Sequence, residues 1–299
     1  MILSLIATTS AFSSDIDLGF VQLGYFKVII LGIIQGITEL LPISSTAHLR
    51  IVPGLLGWQD PGTAFSAAMQ LASITAVVSY FWQDLKRLSG AMVRAITGSD
   101  YRSQDFRLFV GLIIGTIPII IAGLLLKKIL NAPNSPMRGL IVVGIASMVM
   151  SLLLGLAEKL GNRERNFDKL TLKDGIWVGL AQAGALIPGV SRSGSTLTAG
   201  LFLGMERETA AKYSFLLGLP AVILAGALEL HTLLKANLDL NSWLILLAGL
   251  ISASISAFAA IYGLLHYLEK HSTWVFVWYR LVMGIFLIVA VLTHLLPNH

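Results

Sequence analysis

The sequence predicts an all-α polytopic membrane protein: six transmembrane helices plus two re-entrant helical hairpins, arranged as an inverted-topology repeat. Three observations lead there. Only 12% of the 299 residues are charged and 56% are hydrophobic, with a mean hydropathy of +0.80, where soluble domains carry roughly 25% charge. Six apolar runs are long enough to cross a hydrocarbon core of about 30 Å. Two further apolar regions are each broken halfway by a polar stretch rich in Pro, Gly and Ser. One membrane domain, residues 1–299, accounts for the whole length.

Along the chain, "MILSLIATTSAF" is apolar but lacks the basic start of a secretory signal, and reads as an interfacial lead-in. Val21 to Gly57 is the first broken region, interrupted by "LPISSTAH". Spans are predicted near 63–82, 107–127 and 138–158, parted by "WQDLKR" and "NAPNSPMRG". After "EKLGNRERNFDK" comes the second broken region, Lys173 to Gly204, interrupted by "IPGVSRSGST". Spans near 209–231, 242–268 and 274–296 complete the chain. Proline disfavours helix in the residue before it, and glycine weakens the helix beyond it. Each broken region therefore reads as a helix, a break and a short helix turning back. Backbone of that kind survives at membrane depth only inside protein or against a wet cavity.

The broken regions resemble each other. "LGIIQGITELLPISSTAHLRIVPGLLG" lies on "VGLAQAGALIPGVSRSGSTLTAGLFLG" with one residue of shift, pairing Gly32 with Gly179, Gln35 with Gln182, Pro42 with Pro188 and Ser45 with Ser191. The spans that come after begin "FSAAMQLASITAV" and "YSFLLGLPAVILA". This predicts an internal duplication with halves of about 21–158 and 173–296. Basic residues crowd one set of loops, among them Lys86, Arg87, Arg163, Arg165 and Lys169, while the other set holds Lys127, Lys128, Arg138 and Lys235. By the positive-inside rule the crowded loops face the cytoplasm. The first hairpin then enters from outside and the second from inside, so the repeats are inverted and their polar tips meet near the midplane. The net charge of +5 is a topology signal, and no nucleic acid partner is expected. The absence of cysteine excludes disulfides and thiolate chemistry.

The first tip offers Glu39, Ser44, Ser45, Thr46 and His48, with Gln35 one helical turn before Glu39. The second offers Arg192, Ser191, Ser193, Thr196 and a run of backbone N–H groups. A guanidinium matches phosphate oxygens, and a Gly/Ser turn opening a helix suits an anion. An anion cradle beside an acid/base and nucleophile cluster points to phosphoryl chemistry at a lipid-accessible depth. The plain structural alternative for Arg192 is an ion pair with Glu39. Arg50 and Arg280 are further cations inside apolar segments, whereas Lys27, Glu229 and His231 read as interfacial.

Together the tips resemble the signature of the undecaprenyl-diphosphate phosphatase family, also called the bacitracin-resistance protein family. Its (E/Q)xxxE motif and Pro-x-Ser-Ser-Thr-x-His run correspond to Gln35, Glu39, Pro42, Ser44, Ser45, Thr46 and His48, and its PGxSRSxxT motif to Pro188, Gly189, Ser191, Arg192, Ser193 and Thr196. Many members carry Glu where this chain has Gln35, which leaves one carboxylate at the first tip. The resemblance implies hydrolysis of a C55 polyprenyl diphosphate to the monophosphate and inorganic phosphate in the bacterial plasma membrane. That reaction recycles the lipid carrier for peptidoglycan and other envelope glycans, and in excess confers bacitracin resistance. It also implies a divalent cation, Mg2+ or Ca2+, with Glu39 the candidate ligand and Gln35 nearby. On this reading the catalytic set is Glu39, Ser45, His48 and Arg192. Ser44, Thr46, Ser191, Arg192, Ser193 and Thr196 bind the substrate phosphates. Ser45 attacks with His48 or Glu39 taking its proton, or water attacks directly with Glu39 as base. The partners are the polyprenyl lipid and the surrounding bilayer, and a homodimer stays open.

Two rival readings compete with this one. A type-2 phosphatidic-acid phosphatase requires His and Asp after its Ser-Arg pair, and "SGSTLTAG" supplies neither. A polyprenyl-phosphate transporter would use the same broken-helix scaffold, but moving an anion requires Arg192 and not a Ser/His/Glu cluster.

Overall fold

The computed structural model describes residues 18–98, 100–130, 137, 139–236 and 238–298. The N-terminal lead-in and Arg138 lie outside them, as do the side chains of Lys127, Lys128 and Glu229. Among the described residues the chain forms eleven α-helices. They are α1 (Phe20–Leu40), α2 (Ser45–Leu56), α3 (Thr63–Tyr80), α4 (Trp82–Gly98), α5 (Gln104–Leu130), α6 (Leu140–Leu160), α7 (Leu172–Ala183), α8 (Arg192–Phe202), α9 (Arg207–Leu234), α10 (Leu240–Lys270) and α11 (Trp274–Leu292).

Six of them, α1, α5, α6, α9, α10 and α11, are long and apolar enough to cross a membrane. They bear the outward aliphatic side chains expected of a lipid-facing surface, such as Leu125, Ile255 and Val282. The set differs from the sequence expectation at one place. The run 63–82 yields α3, in which Ala68–Tyr80 is a shorter apolar helix, while α1 has the length to cross. That length includes an internal break, because Gly24 sits at φ +71° where two helices join. The segment 83–106, read as a loop from its charges, holds α4 instead. Leu88, Ala91 and Ala95 are buried along one face of it, and Lys86, Arg87 and Arg94 lie off that face, the pattern of an amphipathic surface helix.

Apolar tails offer no hydrophobic drive for one span to leave lipid for another, so small residues that permit close backbone approach decide which helices pair. Gly32 and Gly36 of α1 press on α10, where an added Cβ would lie 2.5 Å from the Gly249 carbonyl and 2.2 Å from that of Ala253. Gly175 and Gly179 of α7 press on α5 in the same way, 2.3 Å from the Gly111 carbonyl and 2.2 Å from that of Gly115. In addition α6 pairs with α11 and α3 with α9.

The short helices end alike, at Gly57 (φ +63°) after α2 and Gly204 (φ +77°) after α8. Their surroundings differ. Near Gly204 the loop before α7 is fastened by charge. Arg165 grips both oxygens of Asp174 at 2.8 and 2.7 Å and donates to the Leu203 carbonyl at 2.9 Å. Asp174 also accepts from Thr171, closing the cap of α7. The buried Glu158 carboxylate accepts from Arg163, Arg207 and Thr273. At the Gly57 end, Lys27 over the Trp58 ring is a weaker fastening.

Candidate active site

Both hairpins break for the reason the sequence suggested, but in a more exacting geometry. After α1 the chain runs through Pro42 to Ser44 at φ 72°, ψ 96°, and α2 starts at Ser45. After α7 it passes a short turn and Gly189 to Ser191 at φ 69°, ψ 122°, and α8 starts at Arg192. A positive φ is uncommon in a residue with a Cβ, and such positions carry strain of about 1–3 kcal/mol that the surroundings must hold. The sequence pairing of Ser45 with Ser191 is therefore off by one. Structurally Ser44 corresponds to Ser191, and the same chain separation links Gly32 to Gly179 and Gly57 to Gly204. Aligning Pro42 on Pro188 displaces the match. Ser45 and Arg192 thus occupy equivalent places, each the first residue of its short helix.

Arg280 holds the two breaks together. Its side chain is wholly buried and donates to the Pro42 carbonyl of the first tip (2.9 Å) and to the Gly189 and Val190 carbonyls of the second (2.8 and 2.9 Å). The backbone acceptors freed by each break are satisfied by one guanidinium, as buried carbonyls require. Ser193 adds a direct link, its hydroxyl donating to the Leu41 carbonyl at 3.0 Å.

Glu39, at the end of α1, lies between the two helix starts. Its Oε1 faces the Arg192 guanidinium at 3.3 Å. Its Oε2 accepts from the Ser45 hydroxyl at 2.6 Å and from the Gln35 amide at 3.0 Å. The predicted alternative of an Arg192–Glu39 pair is therefore present, but the contact is long and single and leaves other guanidinium donors uncommitted to Glu39. These groups border a cavity of about 300 Å3 lined by Glu39, Ser44, Ser45, Thr46, Ser191 and Arg192, with Gln70 of α3 and apolar residues of α5 and α9.

The predicted site residues divide in two. Those just named share the cavity wall. Ser193, Thr196 and His48 stand behind it. Thr196 is fully buried, donates to the Arg192 carbonyl at 2.7 Å and shares a 2.5 Å contact with Ser214. His48 Nδ1 donates to the Ser44 carbonyl at 2.8 Å, so Nε2 accepts from the Tyr279 hydroxyl at 2.5 Å. The two rings stack. The imidazole is thereby satisfied on both nitrogens, bracing strained Ser44, while the Ser45 hydroxyl donates to Glu39. Sequence reading did not single out Tyr279 or Gln70; a lone amide within an apolar run was the available signal for Gln70.

Among the described residues no three His, Cys, Asp or Glu side chains gather as a metal site. The donors at Glu39 nevertheless fit a hard cation that keeps most of its water and borrows phosphate oxygens. Beside the carboxylate, Gln35 has a buried carbonyl oxygen, Oε1, without a partner among the described residues, and an orphaned acceptor of that kind suits such an ion.

Residues 28–286 match the family described as "Bacitracin resistance protein BacA". The chain is 54% identical over 290 residues to an undecaprenyl-diphosphatase of Trichormus variabilis, covering 97% of this chain and 91% of that one. It is 56% identical over 256 residues to undecaprenyl-diphosphatase 2 of Mesorhizobium japonicum (86% and 97%). With the undecaprenyl-diphosphatase of Synechococcus elongatus it shares 51% over 278 residues (93% and 96%).

Proposed function

The chain belongs to the BacA family of bacitracin resistance proteins, and from that premise we propose that it hydrolyses undecaprenyl diphosphate through the Ser45–Glu39–Arg192 constellation. The products are undecaprenyl monophosphate and inorganic phosphate. The observation that carries the mechanism is the division of Glu39: one oxygen 2.6 Å from the Ser45 hydroxyl, the other facing Arg192.

The diphosphate occupies the cavity while its prenyl tail stays in lipid. Arg192, Ser191 and the N–H groups opening α8 face the terminal phosphoryl and hold the charge that develops on it. Ser45 Oγ attacks the terminal phosphorus as Glu39 takes its proton. The bond to the bridging oxygen breaks, and undecaprenyl monophosphate leaves. Water then attacks the phosphoserine: Glu39 hands the serine's proton back to Ser45 Oγ as the Ser45–phosphorus bond breaks, takes up the water's proton and releases it to solvent, which frees phosphate and restores the carboxylate. Of the two proton acceptors the sequence offers, the geometry supports Glu39. His48 instead keeps the backbone at Ser44 in place, Ser193 sets the Arg192 helix against the end of α1 and Thr196 ties it to Ser214 of α9. A bound Mg2+ or Ca2+, held by Glu39 and Gln35 Oε1, would neutralise phosphate charge.

The mirrored pairing of α1 with α10 and α7 with α5 supports reading the halves as an inverted repeat, with both broken units re-entrant. The basic loops around α4 and before α7 support placing that end in the cytoplasm of the plasma membrane. Cysteines introduced at exposed Gln59 and Asn166 test the orientation. An impermeant thiol reagent should label Gln59→Cys in intact cells and Asn166→Cys only after the membrane is opened; the opposite pattern reverses the topology. Phosphate release from undecaprenyl diphosphate by the purified protein in detergent tests the function. Transport needs a sealed membrane, so release there belongs to the enzyme, and a silent preparation would return the transporter reading to first place.

A further inference from the structure

We propose that Gln70 of α3 is a substrate-contacting residue whose carboxamide N–H donates to the phosphoryl group under attack by Ser45. The inference rests on the phosphatase reading above. Gln70 shares the cavity wall with Glu39, Ser45 and Arg192. Its side chain forms no hydrogen bond to another described residue, although Ser45 and Glu39 on the same wall are committed to each other and Glu39 also to Arg192. An amide inside a membrane domain is costly unless it meets a partner. The cavity is where Gln70 can meet one.

The repeat shows why an amide stands there. The similar starts of α3 and α9 pair Phe65 with Tyr213, both fully buried, and so pair Gln70 with Gly218. Gly218 is the surface on which Arg192 lies: a Cβ added there would be 2.1 Å from Nη1. At the second tip a long cation rests over a glycine. At the first, the equivalent helix-opening residue is the short Ser45, and the facing residue of the span is the long Gln70. The two halves thus exchange side-chain length between helix start and span. Each brings one N–H donor group to the cavity, charged on the Arg192 side and neutral on the Ser45 side. A neutral donor beside the nucleophile stabilises oxyanion charge without forming an ion pair that would disarm Glu39.

The test uses the full chain in detergent with undecaprenyl diphosphate and Mg2+. Gln70→Met keeps the volume and removes the donor, while Gln70→Glu keeps the shape and replaces the donor by a group that repels phosphate. Gln70→Met should unfold at the wild-type temperature and lose about 10- to 100-fold in kcat/KM, with most of the loss in kcat. Gln70→Glu should lose more. If Gln70 only fills space, both variants stay within about two-fold of wild type, which overturns the inference while leaving the phosphatase reading intact. Should Gln70→Met fail to fold, Gln70→Glu decides alone, near-normal turnover rejecting the contact. A wild-type protein that releases no phosphate removes the function and this role with it.

Discussion

At the first tip the short helix opens with a hydroxyl, and at the second with a guanidinium. Ser44 and Ser191 precede them with nearly the same φ, 72° and 69°, and Arg280 ties both breaks to itself. Yet the strained serines are held differently. Ser191 caps its helix, its hydroxyl accepting from the Gly194 N–H at 3.2 Å, whereas Ser44 makes no side-chain cap and relies on His48 and Tyr279. The ends beyond differ too, with buried carboxylates clamping the loop by α8 and a cation–π contact at Trp58 near the end of α2. Two breaks of the same backbone form are therefore kept strained in two ways, while the polar groups they carry differ, Glu39 and Ser45 at the first and Arg192 at the second.

If the division is right, the tips should fail differently. The largest effect is expected at Ser45: Ser45→Ala should lower turnover by about 1000-fold or more, and rapid-quench labelling from substrate with labelled terminal phosphate should find phosphoserine in the wild type. Inversion of configuration at a chiral phosphorothioate would instead show direct attack by water and reduce Ser45 to a hydrogen-bonding role. Arg192→Ala should cost about 100- to 1000-fold in kcat/KM, and Arg192→Lys should restore little because an ammonium lacks the planar fork. Near-normal hydrolysis by folded Arg192→Ala would abolish the cradle.

His48 separates the candidate roles more finely. A bracing residue leaves the shape of the pH–rate profile alone, so His48→Ala should lower unfolding stability by about 1–3 kcal/mol, the scale of unpairing buried polar partners. It should also slow turnover less than Glu39→Gln, for which a loss of about 100-fold is expected. A profile that loses a limb in His48→Ala would return the proton to the imidazole. The smallest effect concerns strain. Ser44→Gly relieves an unfavourable φ with no cap to lose and should be neutral or stabilising by a few tenths of a kcal/mol, whereas Ser191→Gly gains the same relief but forfeits a cap, a loss of about a few tenths of a kcal/mol that offsets it. Equal thermal shifts in the two variants would erase the asymmetry.

Much of this was legible in the sequence because the lipid environment leaves few choices. Every buried backbone group must be satisfied internally, so apolar length predicts spans and a polar, proline-broken run predicts a lined cavity. Thus α5, α6, α9, α10 and α11 and the residues Glu39, Ser45 and Arg192 could be named from their types and order. Periodicity also held the amphipathic α4, which its charges concealed. Other features depend on distance across the fold. Whether His48 meets Ser45 or Tyr279 is settled by the packing of α2 on α11, which lies far away in sequence. Whether Gln70 lines the cavity depends on α3 meeting the tips, and the true partner of Ser191 emerged only from backbone angles. Sequence by itself determined the membrane class, the two broken helices and the chemical groups they carry, because these stem from hydropathy and local backbone preference. Tertiary structure alone decided which of those groups face one another, because hydrogen bonds reach about 3 Å and nothing local brings residues from separate helices within that distance.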